Sequence, residues 1–208
     1  LASALSRMPR VRGNRVGIIS NAGGPGTLVA DALSTRGFES PLMPAPLRER
    51  LASRIMPQAS TGNPLDLVAT ATPEHYGEAA RTMLESGVYD AILVVVVPPA
   101  GVDTGAAARG MIDGLVAARD AGILVLSCFF GPTLGAAGRA VMLDNGIPSF
   151  TFPEQTASVL HLMRTVGAQT APRAAVRAAA KTGLSLAERR DLVDGNRGTF
   201  LPQERCME

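Results

Sequence analysis

A glycine-rich turn is the stretch of this sequence best suited to chemistry. It consists of Asn21, Ala22, Gly23, Gly24, Pro25, Gly26 and Thr27. An apolar strand is predicted before it at Val16–Ser20, and a helix is predicted after it at about Gly26–Arg36, closed by Gly37. Backbone N–H groups and the positive end of a helix dipole bind anions at such a junction. We therefore predict that these seven residues bind phosphate.

The turn matches neither of the common nucleotide-binding motifs. It is not G-x-G-x-x-G, and it lacks the Lys followed by Ser or Thr that ends a Walker A loop. A tight strand-to-helix turn without a ligand is therefore the alternative to an anion site.

Side chains that could catalyse a reaction are few. The two histidines are His75, predicted on the surface at the start of a helix, and His161, predicted to pack within the last helix. Cys128 lies in an apolar strand, where a buried thiol is normally inert. The acidic residues, Asp66 among them, show no spacing that would pair two carboxylates. We predict no catalytic residue and no metal site in this chain.

Helical and extended patterns alternate along the chain in the order β-α-β-α-(loop)-α-β-α-β-α-β-α. Two of the strands are apolar on both faces, as in a parallel sheet covered by helices on both sides. Right-handed crossovers fold this order into an α/β, doubly wound, mainly parallel and flavodoxin-like sheet. The predicted strands are Val16–Ser20, Phe38–Leu42, Asp90–Val97, Ile123–Phe129 and Ser149–Phe152.

Two further loops resemble the first in carrying glycine and proline where a predicted strand ends. They are Pro98–Val102 and Gly131–Thr133. Because the carboxyl ends of parallel strands meet at one edge of a sheet, we expect all three loops to lie together and to form a binding site.

Composition excludes several classes of protein. The 208 residues carry a net charge of +2, without a basic stripe interleaved with aromatic residues, so we expect no nucleic-acid partner. The longest apolar run is only long enough for a strand, so we expect no membrane partner. Two cysteines do not make a disulfide framework, which favours a cytoplasmic protein.

Four segments resemble those of NDP-forming acyl-CoA synthetases, which are related to succinyl-CoA synthetase. In order, they are VGIISNAGGPGTLVADAL, NPLDL, YDAILVVVVPP and IPSFTFPEQTASVL. The resemblance covers about Val16 to Ala168, and it identifies this part with the second flavodoxin-like ligase domain of the family.

The resemblance implies a reaction and a role. The family converts an acid, CoA and ATP into acyl-CoA, ADP and phosphate through a phosphohistidine. The helix that follows the glycine-rich turn would face a phosphohistidine that another domain supplies, so the domain alone would bind no cofactor. CoA, ATP or ADP and Mg would belong to the full-length enzyme. The other two loops would contact the carboxylic acid substrate through Pro99, Ala100, Gly101, Val102, Gly131 and Thr133.

The same resemblance implies a division of the chain. Residues 1–14 would be an incoming helix and linker, residues 15–168 the ligase domain, and residues 169–208 a linker toward a missing ATP-grasp domain. The abrupt beginning and end of the sequence suggest a fragment of a longer polypeptide, inactive when isolated. Its partners would be the CoA-binding, first ligase and ATP-grasp domains of the same enzyme, with a homodimer as a further arrangement.

Two other functions stay open. The same domains occur fused to an acetyltransferase in protein lysine acyltransferases, where the synthetase-like region is regulatory and need not catalyse. A free-standing flavodoxin-like protein would instead bind a flavin or a nucleotide, and the purified protein would then be yellow. A Ser-His-Thr-Gly-like motif upstream, with an intact ATP-grasp domain, would favour the enzyme.

Overall fold

The structure is a computed structural model that describes residue 11 and the ranges 13–98 and 103–169. The predicted incoming helix at 1–10, the loop positions 99–102 and the predicted linker from 170 onward lie outside the described residues. Within the described ranges, no helix combines the length and the apolar character that crossing a membrane requires.

Five parallel strands form the sheet. They are Val16–Ser20 (β1), Leu65–Asp66 (β2), Ala91–Val96 (β3), Leu124–Phe129 (β4) and Ser149–Phe150 (β5). Their order across the sheet is β2-β1-β3-β4-β5, and every neighbouring pair is parallel. This is the flavodoxin-like order, so the predicted α/β, doubly wound class is confirmed. Strands β1, β3 and β4 are buried along their whole length, as the doubly apolar patterns predict.

Helices cover the sheet. They are Gly23–Ser34 (α1), Ala45–Ala52 (α2), Pro73–Glu85 (α3), Thr104–Asp120 (α4), Ala136–Asp144 (α5) and Pro153–Gln169 (α6). Helices α3, α4 and α5 pack side by side. Arg164 of α6 donates hydrogen bonds to the carbonyls of Arg36 and Gly37, just beyond the end of α1. Its guanidinium also lies 3.9 Å from the centre of the Phe38 ring.

The predicted second strand is wrong. Phe38–Leu42 forms only a single bridge between Arg15 and Glu39, and the strand that pairs beside β1 is β2, about 25 residues later. The amide of Asn63 takes the position beside β1 instead. Its Nδ2 donates to the carbonyl of Val16 at 2.8 Å, and its Oδ1 accepts the Ile18 N–H at 3.0 Å. This side-chain pairing leaves no place for a longer strand.

Glycines allow α3 and α4 to approach closely, which explains why a helix forms across several of them. A Cβ on Gly110 would lie 2.2 Å from the carbonyl oxygen of Pro73, and a Cβ on Gly77 would lie 2.7 Å from that of Gly110. One turn further along α4, a Cβ on Gly114 would lie 3.0 Å from the Cβ of Ala80. Close backbone packing therefore offsets the low helix propensity of these residues.

The beginning of β1 is held by an ion pair. The carboxylate of Asp90 accepts hydrogen bonds from the backbone N–H, Nε and Nη2 of Arg15, at 3.0, 3.1 and 3.0 Å. Hydrogen bonding to the Arg15 guanidinium lowers the pKa of the Asp90 carboxyl. The carboxylate thus fastens the start of β1 to the residue that precedes β3.

We predict that replacing Asp90 by Asn lowers the melting temperature at pH 7 by a few degrees. Because the folded-state pKa is lowered, the ionised group stabilises the fold above its unfolded pKa of about 3.9, and this contribution disappears as the pH falls through the lower folded value. The difference between wild type and variant should therefore shrink below about pH 4. Thermal melts across this pH range measure it.

Glu85→Gln provides the control, because Glu85 pairs with Arg50 on the surface, where an ion pair contributes little. A difference between wild type and Asp90→Asn that stays constant down to pH 2 would contradict this role of Asp90.

Candidate functional site

The carboxyl ends of β1, β3 and β4 lie at one edge of the sheet. In the ladder Ser20 is opposite Val95, which is in turn opposite Cys128. The Phe130 N–H donates to the carbonyl of Val96 at 2.8 Å, so the strands stay joined where the loops begin. The described parts of the three predicted loops therefore meet, whereas positions 99–102 of the second loop lie outside the described residues.

The first turn of α1 presents two backbone N–H groups. Ala22 is the N-cap, and its own N–H donates to Ser20 Oγ at 3.2 Å. The first intrahelical bond runs from the Gly26 N–H to the Ala22 carbonyl at 3.2 Å. Between them, the N–H groups of Gly23 and Gly24 have no partner among the described residues, and Pro25 has no N–H. Both glycines are exposed.

Helix α1 therefore begins three residues earlier than predicted. The sequence pattern placed its start at Gly26, since Gly23, Gly24 and Pro25 are poor formers of a helix interior. In the first turn these residues lower helix stability only a little, because N–H groups at these positions make no intrahelical hydrogen bond in any helix. The correction places Gly23 and Gly24 at the amide end of the helix, where an anion is favoured, rather than in a loop that precedes it.

The glycines of this turn serve different purposes. A Cβ on Gly26 would lie 3.2 Å from the Cβ of Pro64 and 3.3 Å from that of Ser20, so this glycine lets α1 pack on its neighbours. A Cβ on Gly24 would meet nothing within 4 Å. Packing thus explains Gly26 but not Gly24, which is exposed and has open space where a side chain would be.

Asp66, at the end of β2, is a residue of this edge that the sequence reasoning missed. Its Oδ1 accepts the Val68 N–H at 3.0 Å, and its Oδ2 lies 3.2 Å from the position that a Cβ on Gly23 would take. Val68 itself has a φ of 59°, in the left-handed region that a β-branched residue seldom adopts. The missed signal is the position of Asp66 at a strand end. Its carboxylate lies beside Gly23 at the start of α1.

The side chain of Asn21 is committed to the neighbouring strand. Its Nδ2 donates to the carbonyl of Val97 at 2.9 Å, and its Oδ1 accepts the Val97 N–H at 2.8 Å. Only 3% of the residue is exposed. Of the seven residues predicted to bind phosphate, Asn21 therefore offers no free side-chain group.

The loop after β4, which contains Gly131 and Thr133, is held by an arginine. The guanidinium of Arg139 donates to the carbonyls of Phe129 and Gly131 at 2.7 Å each, and also to that of Pro132. Gly131 has a φ of 83°, a conformation that favours glycine. Thr133 is exposed, so its hydroxyl is accessible from solvent at this edge.

The start of α4 is joined to the same loop. Asp103 caps α4 by accepting the N–H groups of Gly105 and Ala106 at 2.8 and 3.1 Å. The buried Thr104 donates its hydroxyl to the Leu134 carbonyl at 3.1 Å. The described residues on both sides of positions 99–102 are therefore fixed in place.

The side chains with reactive groups lie away from this edge, or are already hydrogen-bonded or buried. His75 closes the capping box of α3, because its Nδ1 accepts the Thr72 N–H at 3.1 Å. His161 is exposed on α6, so the prediction that it packs within the helix is wrong. Burial raises the pKa of the Cys128 thiol to about 12, which keeps it protonated.

In the part of the chain that the structure describes, no three His, Cys, Asp or Glu side chains come together.

Known proteins are similar to this chain in sequence and in fold. The alpha subunit of acetate–CoA ligase (ADP-forming) II from Pyrococcus furiosus is 32% identical over 157 residues, which are 74% of this chain and 34% of that protein. The crystal structure of PH0766 from Pyrococcus horikoshii superimposes with a TM-score of 0.72 at 32% identity, over 77% of this chain and 37% of that one.

A third similarity concerns the fold alone. The apo form of the dinucleotide-forming acetyl-coenzyme A synthetase 1 from Ca. Korarchaeum cryptofilum gives a TM-score of 0.70 at 22% identity, over 88% of this chain and 38% of that one. The chain thus spans about a third of the length of each of these relatives.

The five-stranded parallel sheet, its strand order and its flanking helices define a flavodoxin-like α/β domain. Residues 16–123, more than half of the chain, match the Ligase-CoA domain. The chain belongs to the Ligase-CoA domain family, which confirms the resemblance found in the sequence.

Two alanine variants test whether packing requires a glycine at Gly26 but not at Gly24. Gly24→Ala should raise the free energy of unfolding by about 0.5 kcal/mol, because alanine forms a helix more readily and the new methyl group meets nothing. Gly26→Ala should be less stable than Gly24→Ala by about 1 kcal/mol, because its methyl group crowds Pro64 and Ser20 at 3.2 and 3.3 Å. Urea denaturation measures both changes. Equal stability of the two variants would contradict the assignment.

Proposed function

We propose that this chain is a domain of an ADP-forming acyl-CoA synthetase, in which the amide end of α1 stabilises the phosphoryl group of a phosphohistidine from another domain. The observation that carries the proposal is the pair of N–H groups of the exposed residues Gly23 and Gly24, which have no partner among the described residues, at the carboxyl edge. A relative at 32% identity bears the name of an ADP-forming acetate–CoA ligase subunit, which supports this function over a regulatory region or a flavin-binding protein.

The geometry suits phosphoryl transfer because its donors are held before the ligand arrives. Two parallel N–H groups and the helix dipole would stabilise the negative charge on the phosphoryl oxygens while the group passes between the histidine and the acid. Since Ser20 Oγ holds the N-cap residue Ala22, these donors need no rearrangement during the step. The domain would thus stabilise the transferring group, whereas the nucleophiles come from the histidine and the substrates.

The acid substrate would bind beside the phosphoryl group. The loop residues Gly131 and Thr133 lie at the edge that also carries α1, and we extend the proposal to positions 99–102 of the neighbouring loop. We assign CoA, ATP and Mg to other domains of the full-length enzyme. We place the enzyme in the cytoplasm.

Other domains of the same enzyme would cover this edge. Phe130 and Phe152 are exposed there although both are apolar, and their ring centroids are 5.8 Å apart in an edge-to-face contact. Exposed aromatic pairs are typical of surfaces that contact a partner. This supports CoA-binding, first ligase and ATP-grasp domains as partners, and a homodimer remains part of the proposal.

The activity itself is tested by incubating the full-length protein with ATP, CoA and a panel of carboxylic acids. We expect ADP and an acyl-CoA to form together with at least one acid. ATP-dependent formation of AMP, or the absence of any acyl-CoA across the panel, would contradict a catalytic ADP-forming synthetase.

The role of the amide end is tested by Gly24→Asp in the full-length enzyme. A carboxylate at this position would repel the phosphoryl group, so we expect turnover to fall at least about 100-fold. The fold should persist, because a Cβ on Gly24 meets nothing within 4 Å. Steady-state acyl-CoA formation measures the change.

Two variants provide matched controls for Gly24→Asp. Gly24→Ala adds a side chain without charge, and Leu28→Asp adds the same charge at a site that is 61% exposed further along α1. Both should retain most of the activity. Turnover that survives Gly24→Asp would show that the amide end does not act on the phosphoryl group.

A further inference from the structure

We propose that Asn21 is a positioning residue for phosphoryl transfer, because its side-chain amide fixes the amide end of α1 to the end of β3. This inference rests on the proposed function of Gly23 and Gly24. Asn21 would not contact the phosphoryl group itself. It would act through the direction in which the two glycine N–H groups point.

The first argument is the form of the contact. The β1–β3 ladder pairs Ser20 with Val95, and beyond this point the main chain turns away from the sheet to begin α1. The amide of Asn21 donates to the Val97 carbonyl and accepts the Val97 N–H, so it replaces the backbone pair that a continued strand would have made. Two bonds between planar groups fix both the distance and the orientation of the residue.

The second argument is the short connection to the donors. Gly23 follows Asn21 by only two residues, and the residue between them, Ala22, is held by Ser20 Oγ on its N–H and on its carbonyl, at 3.2 and 2.9 Å. The segment from Ser20 to Ala22 is thus fixed on both sides before the first free N–H. Any shift of Asn21 relative to β3 therefore moves the amide end of α1.

The third argument is that burial alone does not require an asparagine here. The residue is 3% exposed, and apolar side chains fill most of the surrounding core. An apolar residue would leave the N–H and carbonyl of Val97 without these partners, which costs stability but does not determine a direction. The amide determines the direction in which the chain enters α1. This direction matters because displacement of a reacting group by about 1 Å can slow a reaction about 100-fold.

Asn63 offers a matched control within the same domain. Its amide makes the same kind of bidentate contact with backbone, to Val16 and Ile18, but it does so on the other side of β1 and nearer the start of the strand. Its loss should cost three hydrogen bonds, one more than the loss of Asn21, because its Nδ2 also donates to the Pro41 carbonyl at 2.9 Å. It should not turn the amide end of α1 relative to β3.

The test compares Asn21→Ala and Asn63→Ala in the full-length synthetase by separating two half-reactions. Radiolabelled ATP measures phosphorylation of the enzyme, and the isolated phosphoenzyme then measures transfer of the phosphoryl group to the acid. We expect Asn21→Ala to slow the transfer to the acid about 10- to 100-fold and to leave phosphorylation by ATP near the wild-type rate. Asn63→Ala should change neither rate strongly, although both variants melt at lower temperatures.

Two results would overturn the positioning role of Asn21. One is transfer to the acid near the wild-type rate in Asn21→Ala, and the other is equal slowing in Asn21→Ala and Asn63→Ala, which would indicate loss of structure only. If Asn21→Ala does not fold, Asn21→Ser serves instead, since it adds no charge and its hydroxyl lacks the planar amide that fixes the direction of the contact with Val97. Gly24→Asp in the same assay separates the two proposals: if it too leaves transfer intact, the proposed function fails as well.

Discussion

The parallel pairing of β1 with β3 determines where every feature of the candidate site lies. The chain leaves β1 toward β2 on one side, and it returns to place β3 on the other side. Helix α1, which follows β1, and helix α4, which follows β3, therefore diverge, and the crevice between them opens at the carboxyl edge. Because β1 ends there in a helix start rather than in a long loop, the amide end of α1 faces this crevice directly.

Side-chain amides complete the pairing where the backbone of β1 cannot. Asn63 occupies one side of the strand near its start, and Asn21 occupies the other side just after its end. Both contacts are made by amides that satisfy a backbone N–H and a carbonyl at once, so neither leaves a buried polar group unpaired. A strand of only five residues thereby stays fixed at both ends. The proposed phosphoryl-binding end of α1, which follows this strand, depends on that rigidity.

Most of the fold could be predicted from the sequence because its three central strands are buried on both faces and two of its helices begin at clear caps. The apolar run is longest at Ala91–Val96, and Asp103 and Thr72 cap the helices that they precede. The error at Phe38–Leu42 arose because a short apolar segment resembles a strand, while the two-residue β2 has almost no pattern of its own. Tertiary contacts, above all those of Asn63, decide which of the two pairs with β1.

The contacts around the proposed site could not be predicted from the sequence. A run of glycines before a helical pattern favours an anion site over a turn without a ligand, but spacing cannot separate a glycine required by packing, such as Gly26, from one left open, such as Gly24. Nor can it show that the amide of Asn21 is used by Val97, or that the carboxylate of Asp66 lies beside Gly23, since both contacts join residues far apart in the chain.

The most direct test of the central claim is the backbone ¹H–¹⁵N spectrum of the full-length enzyme before and after it is phosphorylated by ATP. If the amide end of α1 holds the phosphoryl group, the Gly23 and Gly24 N–H resonances should move downfield on phosphorylation, as expected for new hydrogen bonds to an anion, while that of the capped Ala22 moves less. Unchanged Gly23 and Gly24 resonances in a fully phosphorylated enzyme would contradict the account.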